Sequence, residues 1–272
     1  MALFAVLGTL AATGIIIEAK PAVILPEFAL AVDFNGLATE ESLQCLKDSE
    51  YKTIFLEAYD IHHDNGRLHE HVVGNAHRAD ETGLDVEIFM TPLTLPMMRP
   101  EKRGDKQFEE LYDGLTKGGV YIQTIWIKVA NPDYWDKDQR ENVALINEIA
   151  LAAKKRNVSV GIYTSNFGWE AITHGARTDD AELWYLTTYD SVDSAISYDF
   201  SDFKPFANFT KPRVKQFPKL DYICGLAANR NVYLLSWSTE EPKKPVVRPV
   251  GPVPFISSYF TDFSANQLAQ MQ

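Results

Sequence analysis

Two rhythms of apolar and polar positions take turns along this chain, one of period two and one of period 3.6. Phe28-Ala29-Leu30-Ala31-Val32-Asp33-Phe34 reads as a strand ending near a carboxylate. Thr39, Glu40 and Glu41 then open a helix with acid in its first turn, where the helix dipole favours it, and Leu43, Cys45 and Leu46 lie along it. Residues 53–59 give a second strand carrying Glu57, and Val72, Val73, Ala76 and Ala79 give a helix stopped by Gly83. A third strand over 84–90 holds Asp85 and Glu87. A Pro-rich loop over 91–104 and a helix bearing Phe108, Leu111, Tyr112 and Leu115 follow.

The stretch Tyr121 to Ala130 is the apolar centre of the pattern, a strand buried on both faces. Alternation puts Trp126, Lys128 and Ala130 on one face and Ile127 and Val129 on the other. A lysine on the inner face is anomalous, because a buried ammonium is costly unless paired. A helix over 138–156, a strand over 158–164, a helical turn over 169–173 and a strand over 181–188 come next. The last third changes to strands over 213–217 and 228–235 without long helices. Strand–helix alternation implies a parallel sheet, and about eight strands imply a closed, irregular (β/α) TIM-like barrel, a single α/β domain over 28–235. Five prolines from Pro242 to Pro254 mark residues 236–272 as a disordered tail outside it.

With 272 residues, 46% of them hydrophobic, the chain can bury a full core. Its net charge of −11 argues against nucleic acid and against a membrane partner, and a monomer is expected. Residues 1–19 read as a secretory signal peptide lacking a basic start, with a short membrane anchor or a first buried strand as alternatives. On a secretory route the protein would be extracellular or held in a compartment of that route. There Asn157-Val158-Ser159 and Asn208-Phe209-Thr210 would be glycan acceptors. Cys45 and Cys224 then form either one long-range disulfide or two inert thiols.

In such a barrel, function sits at the C-terminal strand ends, where Asp33, Glu57, Lys128, Ala130 and Asn229 fall. Two carboxylates there suit acid–base chemistry on sugars; equally, Asp33, Glu57 and Glu87 could merely neutralise Lys128. His62, His63, His69 and His71 with Asp64 could bind a metal, but nothing fixes them in ligand geometry, so neither metal nor cofactor is expected. Tyr134, Trp135, Trp169, Trp184 and Tyr185 could stack on sugars or belong to the core.

Taken together, Ala31-Val32-Asp33, Cys45-Leu46-Lys47, Trp126-Ile127, Gly161-Ile162-Tyr163-Thr164-Ser165, Leu183-Trp184-Tyr185, Lys215-Gln216-Phe217 and Cys224-Gly225 with Asn229-Arg230-Asn231 resemble the muramidase-type lysozymes of glycoside hydrolase family 25, in particular the animal branch. The resemblance implies cleavage of peptidoglycan between N-acetylmuramic acid and N-acetylglucosamine, a role in innate defence or bacterial digestion, and peptidoglycan or a related N-acetylated glycan as partner. It also implies an Asp on the first strand, matched by Asp33, an Asp-x-Glu on the fourth and a further Asp on the last. Here the Asp-x-Glu is Lys128-Val129-Ala130 and the last Asp is Asn229. An alanine cannot protonate a leaving oxygen, so the expectation is impaired catalysis, with a non-catalytic glycan- or protein-binding cleft as the alternative. Glu57 and Glu87 are the possible substitutes, and Lys128 is expected to be salt-bridged to Asp33, Glu57 or Glu87. Cys45, after the first strand, and Cys224, before the last, should meet where the barrel closes.

Overall fold

A computed structural model of the chain describes residues 28–61, 66–94, 102–178, 181–187, 199–234 and 246–247. Residues 1–19, the loop residues His62, His63 and Asp64, and the tail apart from Val246–Val247 lie outside the described residues.

The strands are β1 (Phe28–Phe34), β2 (Tyr51–Asp60), β3 (Arg67–Leu68), β4 (Asp85–Met90), β5 (Val120–Tyr121), β6 (Thr124–Lys128), β7 (Ser159–Thr164), β8 (Glu182–Leu186), β9 (Val214–Ile223), β10 (Leu226–Leu234) and β11 (Val246–Val247). The helices are α1 (Glu40–Asp48), α2 (Val72–Thr82), α3 (Gly104–Lys117), α4 (Gln139–Lys155) and α5 (Asn166–Thr173). Eight strands close a barrel in the order β1-β2-β4-β6-β7-β8-β9-β10, and β10 returns to β1. This is the expected single α/β domain with a closed TIM-like barrel.

The parallel sheet is interrupted at its closure. Strand β10 runs antiparallel to both β9 and β1, because β9 and β10 form a hairpin rather than a strand–helix–strand unit. The turn of that hairpin is Cys224-Gly225, with φ of 51° and 81°. Two successive positive φ values are what a two-residue hairpin turn matching the strand twist demands. The strand expected over 121–130 is split: β5 leaves the barrel to pair with β11, and only Thr124–Lys128 stays in the wall.

Helix boundaries follow their caps. The Thr39 side chain accepts a hydrogen bond from the Ser42 N–H at the start of α1, and Asp138 accepts one from Arg140 at the start of α4. The apolar stripes of these helices, with Leu43, Leu46, Ile146 and Ile149, pack on the outward side chains Val32, Ile54, Ile88, Ile127 and Ile162. A second, smaller core fills the lumen: Ala31, Phe55, Phe89, Trp126, Tyr163, Trp184 and Val214. The expected division of β6 holds, since Trp126 points into the lumen while Ile127 and Val129 join the helix layer. Gly161 makes room for it, because a Cβ there would sit 2.2 Å from Trp126 Cε3. Cys45 and Cys224 are disulfide-bonded, with Cα atoms 5.7 Å apart across 179 residues, so the hairpin tip is tied to α1.

Candidate functional site

Asp33 ends the inward face of β1 and is 4% exposed. Three side-chain amides hold its carboxylate. Gln216 Nε2 and Asn231 Nδ2 donate to Oδ1 at 2.6 and 2.7 Å, and Asn229 Nδ2 donates to Oδ2 at 2.8 Å. Asn231 is itself oriented by the Trp184 indole N–H, which donates to its Oδ1 at 2.9 Å. Burial pushes the Asp33 carboxyl above its ordinary value, and the three amides pull against that shift. The buried Tyr163 phenol is driven well up by burial, then by the negative charge of Asp33, and stays protonated. Gln216 and Asn231 were not singled out from the sequence as site residues. The signal was there in β10, where asparagines at 229 and 231 must share a face.

Lys128 is half-buried at the end of β6, and its partners differ from those expected. Its Nζ lies 5.4 Å from the Tyr163 ring centroid and 5.7 Å from that of Phe89. Among the described residues it forms no ion pair with Asp33, Glu57 or Glu87, and its charge is the weakest of the influences on Asp33. The reason is that each acid already has other donors. Glu57 takes the Asn35 amide at 3.1 Å and the Thr91 hydroxyl, while Glu87 takes the Trp126 indole N–H at 3.0 Å. Such cation–ring contacts are worth roughly 0.5–2 kcal/mol, well short of a buried ion pair. Lys128→Met should accordingly lower stability by about 1 kcal/mol or less, which thermal melts of the two proteins will show.

Ala130 contributes no side-chain chemistry, and its carbonyl accepts the Trp135 indole N–H at 2.9 Å. Beyond it Asn131, at φ 54°, turns the chain outward into Pro132. Glu57 remains on the rim with Asp33, since both charges act on Tyr163. Glu87 does not join them. The charges that act on it are Arg213, Glu182 and Asp85, from the N-terminal ends of β9, β8 and β4, so it belongs to the opposite half of the lumen.

Burial is the main cause that pushes the Glu87 carboxyl from its ordinary 4.5 up to about 7. A raised folded-state value means stability fully present below pH 4.5 and lost as pH climbs towards 7. The loss amounts to at most about 3 kcal/mol for a shift of this size. Glu87→Gln keeps an acceptor for Trp126 and removes the titration. It should flatten the fall in melting temperature between pH 4.5 and 8; Asp33 shifts the same way in both proteins, so their difference isolates Glu87.

Of the aromatic candidates, Trp135, Trp169 and Trp184 are buried and Tyr185 packs edge-on against Phe203, which makes them core. Tyr134 alone among them is open, at 60% exposure. His69 and His71 have ring centroids 5.6 Å apart, and among the described residues no group of three His, Cys, Asp or Glu side chains is arranged to hold a metal.

Comparison with known proteins bears on the family and the fold. A family profile described as Lysozyme-like protein 1 matches residues 25–217. Lysozyme-like protein 7 of Caenorhabditis elegans is 34% identical over 213 residues, which span 77% of this chain and 74% of that one. The Probable GH family 25 lysozyme 2 of Dictyostelium discoideum is 32% identical over 204 residues, 74% of this chain and 89% of the relative. Among solved structures, a family GH25 lysozyme from Aspergillus fumigatus superposes with a TM-score of 0.53 at 15% identity, covering 76% of this chain and 94% of its own, a likeness of fold.

Proposed function

Because the chain belongs to the glycoside hydrolase family 25 lysozyme-like proteins, we propose that it is a secreted member that holds peptidoglycan or a related N-acetylated glycan without cleaving it. The observation that carries this reading is the combination of Lys128 and Ala130 with an Asp33 whose two oxygens are taken up by three amides. Hydrolysis of a glycosidic bond needs a carboxylic acid on the leaving oxygen and a second carboxylate about 5–9.5 Å away. Neither Lys128 nor Ala130 supplies the acid. Lys128 instead puts a positive charge where an oxocarbenium-like centre would have to develop, which opposes that transition state. What remains is a floor of fixed donors, Asn229 and the Lys128 ammonium, suited to sugar hydroxyls and acetamido carbonyls.

The test is a sedimentation assay on insoluble peptidoglycan with reducing-end release followed in the same tube, beside an active relative. Retention of the protein without release supports the proposal. Release that disappears in Asp33→Asn would restore the enzyme reading, with Glu57 as the second carboxylate. The role in host defence or bacterial digestion rests on family membership.

Secretion has two supports in this chain. The Cys45–Cys224 bond belongs to oxidising compartments. The two sequons also differ in a way that can be read. Asn157 is exposed at the turn after α4, in the left-handed conformation at φ 57°, on the side of the barrel away from Asp33. Asn208 is tied to Thr178 in both directions, its Nδ2 donating to the Thr178 carbonyl at 2.6 Å and its Oδ1 accepting the Thr178 N–H at 3.0 Å. The expected product in a eukaryotic secretory host therefore carries one glycan, on Asn157. Mass after glycosidase treatment checks it, with the shift lost in Asn157→Gln and kept in Asn208→Gln.

A further inference from the structure

The β9–β10 hairpin runs on past the rim, and its two faces differ in kind. Register pairs Asn229 with Leu220, Ala228 with Asp221 and Ala227 with Tyr222, so partners project to the same side. One side carries Ile223, Leu226 and Ala228, all buried, and the Asp221–Arg230 ion pair. The other carries Asn229, whose amide reaches Asp33, and next to it Leu220 at 64% and Tyr222 at 81% exposure. The lumen-side floor of the cleft thus continues outward onto an exposed aliphatic residue and an exposed aromatic ring.

Scattered apolar side chains on a surface need no explanation. Three features set this pair apart. Leu220 and Tyr222 share one face with a residue that bonds the candidate catalytic aspartate. The ribbon that presents them is braced from behind by its buried face and by the Cys45–Cys224 bond, so the ring is held out rather than trailing. Finally, the rings within the cleft, Phe89, Tyr163 and Trp184, are buried and offer no open face to a ligand. Tyr134 stands across the barrel, beyond β6, which is three strands from β1 and four from β10.

We propose that Tyr222, flanked by Leu220, is a stacking platform for a pyranose ring of the same glycan strand, one position outward from the ring held over Asp33 and Asn229. The platform lies two residue pairs beyond Leu220 and Asn229, a step of about 7 Å along an antiparallel ribbon. An aromatic face takes the apolar C–H face of a sugar, and the neighbouring amide takes its hydroxyls, which is the amphipathic chemistry an N-acetylated saccharide presents. The assignment rests on the glycan reading above and adds to it a second point of attachment that no reacting group touches.

The experiment titrates the full chain with soluble fragments of alternating N-acetylglucosamine and N-acetylmuramic acid, two and four sugars long. Tyr222→Ala should weaken both fragments roughly tenfold, equivalent to about 1.4 kcal/mol, because two linked sugars already reach from Asp33 to the platform. Tyr222→Phe, which keeps the ring face, should bind as the unaltered protein does. Leu151→Ser, at an exposed position on the outer face of α4, is the control and should change nothing. Melting temperatures should agree across the set, as expected of exposed positions. If the unaltered protein binds and Tyr222→Ala binds equally well, the platform is refuted and the cleft reading stands. Should Tyr222→Phe be as weak as Tyr222→Ala, the ring face is not the contact. Failure of the unaltered protein to bind either fragment overturns both proposals together.

Discussion

Lys128→Asp combined with Ala130→Glu is expected to release reducing ends from purified cell walls where the unaltered chain releases none. The glutamate supplies the missing proton donor, and general acid catalysis by itself is typically worth ~10²–10⁴ in rate. The aspartate removes the ammonium from above Tyr163 and Phe89 and returns a negative charge to the side of the developing cation. Both positions are half-buried on the rim, so neither new carboxylate needs to be driven into the core. Asn229 is the third departure, and it donates to Asp33 Oδ2. Asn229→Asp would set two carboxylates against each other and raise the value of one of them, so it should be added last and judged by the pH profile of the gain. Asp33→Asn introduced into the active double variant should abolish the activity. A folded double variant that sediments with peptidoglycan yet stays silent would mean that the bound sugar no longer lies over Asp33.

The second large effect belongs to Cys45→Ser with Cys224→Ser. In the chain-entropy picture a bond closing a loop this long restrains the unfolded state by ~4–5 kcal/mol. For a domain of this size that corresponds to a fall in melting temperature of roughly 8–20 °C. The bond also fixes the hairpin over α1, where a Cβ added at Gly225 would lie 3.6 Å from Ser42 Oγ. Differential scanning calorimetry of the double variant, and of the unaltered protein under reductant, should give the same lowered transition. An unchanged transition would show that the hairpin is held by Ile223 and Leu226 alone.

The barrel was legible because its walls are runs such as Ile54-Phe55-Leu56 and Ile125-Trp126-Ile127, apolar on both sides and separated by helices with one apolar stripe. Where the pattern misled, tertiary pairing decided. Tyr121 is as apolar as its neighbours but leaves the wall, because its strand pairs with Val246–Val247 instead. The outer half of β9 did not read as strand, since Pro218 interrupts it at the irregular step between Asn229 and Asn231 and Leu220 and Tyr222 beyond it are exposed. In the candidate site, Asp33 and Lys128 could be placed from the alternation of one strand each. Their partners could not, because Gln216 and Asn231 stand 183 and 198 residues away from Asp33. An inward lysine suggests an acid nearby, but which acids are already satisfied is a property of the closed barrel, and here two aromatic rings were left to receive it.

The strand that closes the barrel is also the last of its eight strands to be made. Six register pairs join β1 to β10, from Phe28 with Leu234 to Asp33 with Asn229. At synthesis rates of 5–20 residues per second, the first strand waits roughly 10–40 s for its second neighbour. Throughout that interval one edge of β1 has no partner, and the carboxyl of Asp33 lacks the amides of Asn229 and Asn231. Long-range closure of this kind makes folding slow, since the entropy of a long loop is spent before any contact returns it. A nascent chain stalled before residue 226 should therefore be recognised by chaperones and proteases as unfinished, however complete its parallel strands.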